Sequence, residues 1–183
     1  MITDIKVTSG ADDIISKELA KLHLRIDEDY TDEDQLVEIA ISSAQKEAEN
    51  YIERKLLKGT VELKMDSFEN FDIALLSIND SIEKIEYFDV SDVKQELSSD
   101  KFSFETGYSR LICKFKEGLP ALAQKDDAVI VTMSFGFDAE SCPKDIVSAL
   151  LLLIADAFDK RENRSSLHES AARNLLNPYR RWL

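Results

Sequence analysis

Two cysteines, two histidines, three prolines and five glycines are all that 183 residues hold of the types that staple, ligate or bend a chain. Cys113 and Cys142 are too few for a disulfide framework and fit no metal spacing, so a reducing cytoplasm is the expected setting. No Gly-rich loop could cradle a phosphate, and no Gly-flanked elbow could present a nucleophile. "LHES" at 167–170 opens like a zinc-protease helix, but no second histidine follows four residues on. Scarce Gly and Pro leave little room for flexible linkers. "MITDIKVTSGADD" lacks the basic start and apolar run of a signal peptide. The one long apolar run, "IVSALLLLIADAF" at 146–158, has 13 residues and is too short to cross a bilayer.

Positive charge is the other shortage. Lys and Arg number 23 against 36 Asp and Glu, a formal charge of −13. The deficit is uneven: residues 160–183 carry six basic and two acidic side chains, so they stand at +4 and residues 1–159 at −17. An acidic surface excludes wrapping of DNA, which needs clustered cations on the phosphates. It suits a protein that sits close to DNA without gripping it. The basic, aromatic close "NPYRRWL" stands out against it.

What is present is strong periodicity. Ile14, Ile15, Leu19 and Leu22 recur at helical spacing. After the acidic break "DEDYTDED" (27–34), Leu36, Ile39, Ala40, Ser43, Ala44, Ala48, Tyr51 and Ile52 form the stripe of a long helix. Thr31 or Asp32 is its natural N-cap, and Gly59 its stop. From 59 to 139 the period falls to two: Val61/Leu63/Met65, Phe102/Phe104, Leu111/Cys113/Phe115 and Val129/Val131/Met133/Phe135 alternate with polar residues. With "IALLSI" and "SIEKIEYF" this predicts six or seven short strands. Pro143 then opens a buried central helix, and Leu167, Ala171, Leu175 and Leu176 mark a last one before Pro178. The expected fold is α+β, a mainly α-helical bundle of about four helices, two N-terminal and two C-terminal, with an inserted antiparallel β-sheet or small barrel. The helical domain would take 1–58 and 140–183, and the β insertion 59–139.

Candidate chemistry is thin. Asp27, Asp29, Thr31 and Glu38 fall at positions 1, 3, 5 and 12 of a calcium loop, but Asp32 stands where the sharp turn needs Gly. His23, among "KLHLRID", reads as a half-buried packing residue. Asp156 interrupts the apolar helix and reads as a core acid held by an ion pair or hydrogen bond. No catalytic, cofactor or metal residues are expected.

Several segments together resemble the head–tail connector (adaptor, or head-completion) proteins of tailed bacteriophages. The family shows a K-x-x-L-R-I-D element, an acidic spacer, and a long helix ending E-x-Y-x-x-R. Here these are Lys21, Leu24, Arg25, Ile26 and Asp27, then Glu49, Tyr51 and Arg54. "VIVTMSFGF" is similar to the family's last strand, "CPKDIVSALLLLIADAFDKREN" to its Pro-started helix, and "LLNPYRRWL" to its Leu-Leu-x-Pro-Tyr-Arg close. "SIEKIEYFDVSDVKQELSSDKF" resembles the hairpin region of the longer members. The match departs at "LLSINDSI", "VSD" and Leu119.

The resemblance implies a structural, non-enzymatic protein of the virion neck, assembled in the host cytoplasm. It implies a homo-oligomeric ring, twelve-fold in the virion, below the portal protein. That ring extends the DNA channel and meets the next neck or tail-completion component, with no membrane and no specific hold on DNA. Tyr179, Arg180, Arg181 and Trp182 are then expected to leave the body as a short portal-docking extension. Glu38, Gln45, Lys46, Glu49 and Glu53, on a polar face of the long helix, are the expected subunit contact. Two other readings fit the residues: a different neck or tail-completion protein (a stopper or terminator), and a small metal-dependent hydrolase.

Overall fold

The computed structural model describes residues 2–10, 13–107, 109–159 and 171–181. The chain forms two compact units, one of residues 1–10 and 58–136 and one of 11–57 and 137–183.

The second unit is helical. Helix α1 (Lys17–Leu24) starts where Ser16 Oγ accepts the Leu19 N–H at 3.2 Å. It stops at Arg25, whose left-handed φ of 59° lets the amide of Ile26 return to Lys21 O. Helix α2 (Asp34–Ile52) buries Val37, Ala40, Ile41, Ala44, Gln45, Ala48 and Ile52. Leu36, Ile39 and Ser43, expected in that stripe, are instead exposed. The periodicity was right, but the buried face is centred one position round the helix. Glu53, in the left-handed region at φ 56°, ends α2, six residues before Gly59. Helix α3 (Lys144–Asp159) sinks Ile146, Ala149, Leu150, Leu153 and Ile154 into the same core, and α4 (Ala171–Leu176) adds Ala172 and Leu176. One face of α3 stays open to solvent: Ser148, Leu152, Asp156 and Ala157 are exposed. Asp156 is therefore a surface carboxylate and not the buried acid expected.

The first unit is built of strands, with one short 3-10 turn at Ser99–Lys101. It holds β1 (Ile2–Ser9), β2 (Gly59–Met65), β3 (Phe71–Ala74), β4 (Ser81–Phe88), β5 (Lys94–Glu96), β6 (Phe102–Thr106), β7 (Arg110–Phe115) and β8 (Val129–Phe135). The order β1-β2-β8-β4-β5 makes one antiparallel sheet and β3-β7-β6 a second. Alternation places Val61, Leu63, Met65, Leu111, Cys113, Val129, Val131, Met133 and Phe135 in one core. Among the described residues helix and strand take nearly equal shares, 33% and 31%, so the fold is α+β, with strand as prominent there as helix. The difference from the expectation lies largely in residues 2–9, which bring an eighth strand to the β unit. "IALLSI" is strand only to Ala74. Beyond it Asp80 gathers the amides of Leu76 and Ser77 at 2.6 and 2.8 Å into a turn.

Candidate docking surfaces

The basic close of the chain is folded onto its own unit as far as Arg181. Pro178 sits inside a 3-10 turn, Asn177–Tyr179, whose Asn177 Oδ1 accepts from the Tyr51 hydroxyl at 2.5 Å. Tyr179 packs half-buried on the helical core, and burial, then the charges of Asp145 and Cys142, push its hydroxyl above the usual tyrosine range. The guanidinium of Arg180 lies 5.3 Å from the centre of the Tyr51 ring, and that of Arg173 lies 5.5 Å from it. The Arg181 amide donates to Ile52 O at 2.9 Å. The expected extension is thus corrected for residues 179–181, because the end of α2 supplies a ring, a hydroxyl and a carbonyl that hold them. Trp182 lies outside the described residues.

The five polar residues expected to share a face of α2 do not share an environment. Glu38, Lys46 and Glu53 are exposed, whereas Gln45 is buried and Glu49 half-buried. Glu49 is occupied within the fold: its Oε1 accepts the Leu56 amide at 2.9 Å and its Oε2 pairs with Lys55 at 3.4 Å. Glu38 accepts from Lys17 at 3.4 Å. Lys46 lines an open groove with Ser42, Glu47, Asn50, Tyr51 and Arg173.

A feature that periodicity did not disclose is Lys21, only 4% exposed. Its ammonium donates to the carbonyl oxygens of Glu28 and Tyr30, each at 2.7 Å, and to Asp34 Oδ1 at 3.0 Å. One buried cation therefore winds the acidic spacer around itself. Asp27, Glu28, Asp29 and Asp32 are exposed around a Tyr30 that is 46% exposed. Asp34, hydrogen-bonded to Lys17 and Lys21, is held below the usual carboxylate range. Among the described residues no three His, Cys, Asp or Glu side chains are grouped to hold a metal. The only signal for this arrangement was the Lys21-to-Asp27 element itself.

The remaining candidates are dispersed. His23 is exposed rather than half-buried, at the end of α1. Cys113 lies in the β unit and Cys142 in the helical unit. Both are buried, and burial raises each thiol to about 11, which keeps it protonated and unreactive at neutral pH. Residues 160–170, including "LHES", lie outside the described residues. An apolar groove of about 270 Å³ runs along edge strand β1, where Ile5 and Val7 are 54% and 48% exposed.

No curated protein matches the chain. Three solved structures share its fold along nearly its full length, each covering 97% of this chain and 97% of the other. They are a chain of the neck of an empty gene transfer agent particle computed with C6 symmetry (TM-score 0.66, 16% identity), one of a native gene transfer agent virion (0.63, 16%) and one of the native neck computed with C12 symmetry (0.60, 14%). At residues 18–109 the sequence matches the model of the phage gp6-like head–tail connector proteins. That stretch holds the Lys21-centred loop, the whole of α2 and most of the strands. The chain belongs to this family, and is a structural phage connector rather than an enzyme.

Proposed function

We propose that copies of this chain assemble into a ring in the neck of a virion, beneath the portal, lengthening the DNA channel and offering its far side to the next neck or tail component. The observation that carries this is the full-length likeness to chains of neck assemblies computed with C6 and C12 symmetry, together with the family match. The formal charge of −13 supports it, since an acidic wall does not hold passing phosphates. Assembly would take place in the host cytoplasm. Among the described residues no helix is long and apolar enough to cross a membrane.

Within that ring, the exposed face of α2 with Glu38, Lys46 and Glu53 serves the subunit contact. The folded C-terminal turn with Tyr179, Arg180 and Arg181, and with Trp182 after it, serves the portal. Aromatic and Arg residues are the types that anchor interfaces, and this is the basic end of an acidic chain. Imaging of the purified protein, alone and mixed with the portal of the same phage, tests the reading. Rings seated on the portal are expected. Protein that stays monomeric in both samples would refute it. Arg180→Ala with Arg181→Ala should weaken portal capture more at low salt than at high salt, because screening already removes much of an exposed charge contact.

A further inference from the structure

The acidic loop and the groove on α2 are complementary surfaces that one molecule cannot bring together. The loop, residues 27–33, is preorganised: Lys21 fixes two of its carbonyls, Tyr30 N–H returns to Asp27 O at 3.1 Å, and Asp29 N–H meets Asp27 Oδ1 at 3.4 Å. It displays the carboxylates of Asp27, Glu28, Asp29 and Asp32 around one half-exposed aromatic ring. The groove offers the opposite chemistry. Lys46 and Arg173 contribute cations and Ser42 and Asn50 hydrogen-bonding groups, with the Tyr51 ring beneath the Arg173 guanidinium. Glu47, 3.8 Å from Arg173, is its one acid.

The spacing between the two surfaces decides how they can meet. Both belong to the helical unit, the loop at the N-terminus of α2 and the groove along its second half. Twelve residues separate Asp34 from Lys46, about 18 Å of helix at the usual rise. The loop is tied back at its base by Lys21 and cannot travel that distance. Two different, mutually complementary patches on one unit give a heterologous contact, and heterologous contacts repeated about an axis make a ring where the rotation closes.

We propose that the 27–33 loop of one copy seats in the Lys46/Arg173 groove of the next, with Tyr30 as the apolar anchor and the carboxylates of Asp29 and Asp32 facing the cations. This rests on the ring reading above and specifies its subunit contact. It also gives Lys21 a purpose beyond stability: a preordered loop loses less conformational entropy when a neighbour binds it.

The test uses full-length protein in three charge variants. Asp29→Lys with Asp32→Lys reverses the loop, Ser42→Glu with Lys46→Glu reverses the groove, and the third variant carries all four changes. All four positions are exposed, so the fold should survive, as melting curves would verify. Sedimentation across a concentration series should show the large assembly lost in each single-surface variant and restored in the fourfold variant. Raising salt should weaken the wild-type assembly. A second arm pairs Tyr30→Cys with Asn50→Cys. Mild oxidation should yield a ladder of linked chains beyond the dimer, since Cys113 and Cys142 are buried and should not take part. If wild type and all charge variants form the same ring and no ladder appears, this contact is wrong while the ring stands. If wild type stays monomeric both alone and with the portal and no ladder appears, both fall.

Discussion

The Tyr51 hydroxyl and Asn177 Oδ1 are 2.5 Å apart although 126 residues separate them in the chain. That bond joins the end of α2 to the turn that closes the helical unit. The same ring carries Arg173 and Arg180 beside it, and Ile52 next door accepts the Arg181 amide. The last described residues therefore belong to the fold. Truncation after Asn177 should lower the melting temperature by several degrees, because it removes the half-buried Tyr179 and the Arg181 backbone bond together. Tyr51→Phe isolates the hydroxyl and should cost about 1 kcal/mol, or roughly 2–4 °C for a chain of this size. Calorimetry on both variants checks this, and a truncated protein that melts like wild type would show that the tail contributes nothing to the fold.

Lys21 should be the costliest lysine to lose. Lys21→Met would retain the buried stem but strand two carbonyls and remove one of the cations at Asp34. Both bonds are part-buried, so water can recover some of what the carbonyls lose, and a net loss of about 1–3 kcal/mol is expected. Lys17 also pairs with Asp34, at 2.9 Å, but its side chain is 35% exposed and the pair is screened by solvent, so Lys17→Met should cost much less. Urea titration of the two variants measures the contrast. Equal midpoints would mean that the loop is not built on Lys21.

Acid should act on the same cluster. The ammonium groups of Lys17 and Lys21 hold Asp34 below the usual carboxylate range. A carboxyl depressed in the folded state binds its proton more weakly there than in the unfolded chain. Its contribution is therefore complete above the ordinary carboxylate range and is lost as pH falls through the folded value. Asp34→Asn should lower stability near pH 7 and flatten the acid limb of the stability curve. Denaturation at stepped pH values between about 2 and 7 tests the sign, and a variant whose acid limb parallels wild type would contradict it.

Much of this fold could be read from period alone, because α2, α3 and the strands β2, β4, β7 and β8 each bury one face against a core. Residues 2–9 escaped that reading for a physical reason. β1 is an edge strand, and its Ile5 and Val7 stay half-open to solvent, so it has no buried face to announce. The register of α2 was harder still. Leu36 and Ile39 look like core yet face outward beside Ala157 and Phe158, while the small Ala40, Ala44 and Ala48 face inward. Close packing prefers those alanines, and hydrophobicity alone does not reveal it. The candidate docking surfaces were legible as charge but not as shape. That the acidic spacer was a wound loop and the basic end a folded turn depends on Lys21 and Tyr51, whose partners lie 7 to 126 residues away.

Gly59 stands at the start of β2 between Ser9 of β1 and Phe135 of β8, its two cross-strand neighbours. It is not a helix stop, as its place in the sequence suggested, but a site of close approach. A Cβ there would lie 2.6 Å from the Thr8 carbonyl oxygen and inside contact distance of the Phe135 ring. The ring covers the glycine and seals the end of the sheet, an arrangement that compensates for the missing side chain. The Thr8 oxygen is backbone and cannot turn aside, so Gly59→Ala must push β1 away from β2 or shift Phe135. Overpacking of this kind costs about 1–3 kcal/mol. Gly107 is the control: the nearest atom to its Cβ would be Arg110 O at 3.6 Å, an ordinary contact. Gly107→Ala should therefore be neutral or stabilise by up to about 1 kcal/mol, through lost freedom in the unfolded chain. Amide exchange in β1 should rise several-fold in Gly59→Ala and stay unchanged in Gly107→Ala. Equal protection in the two variants would show that β1 does not depend on the gap at Gly59.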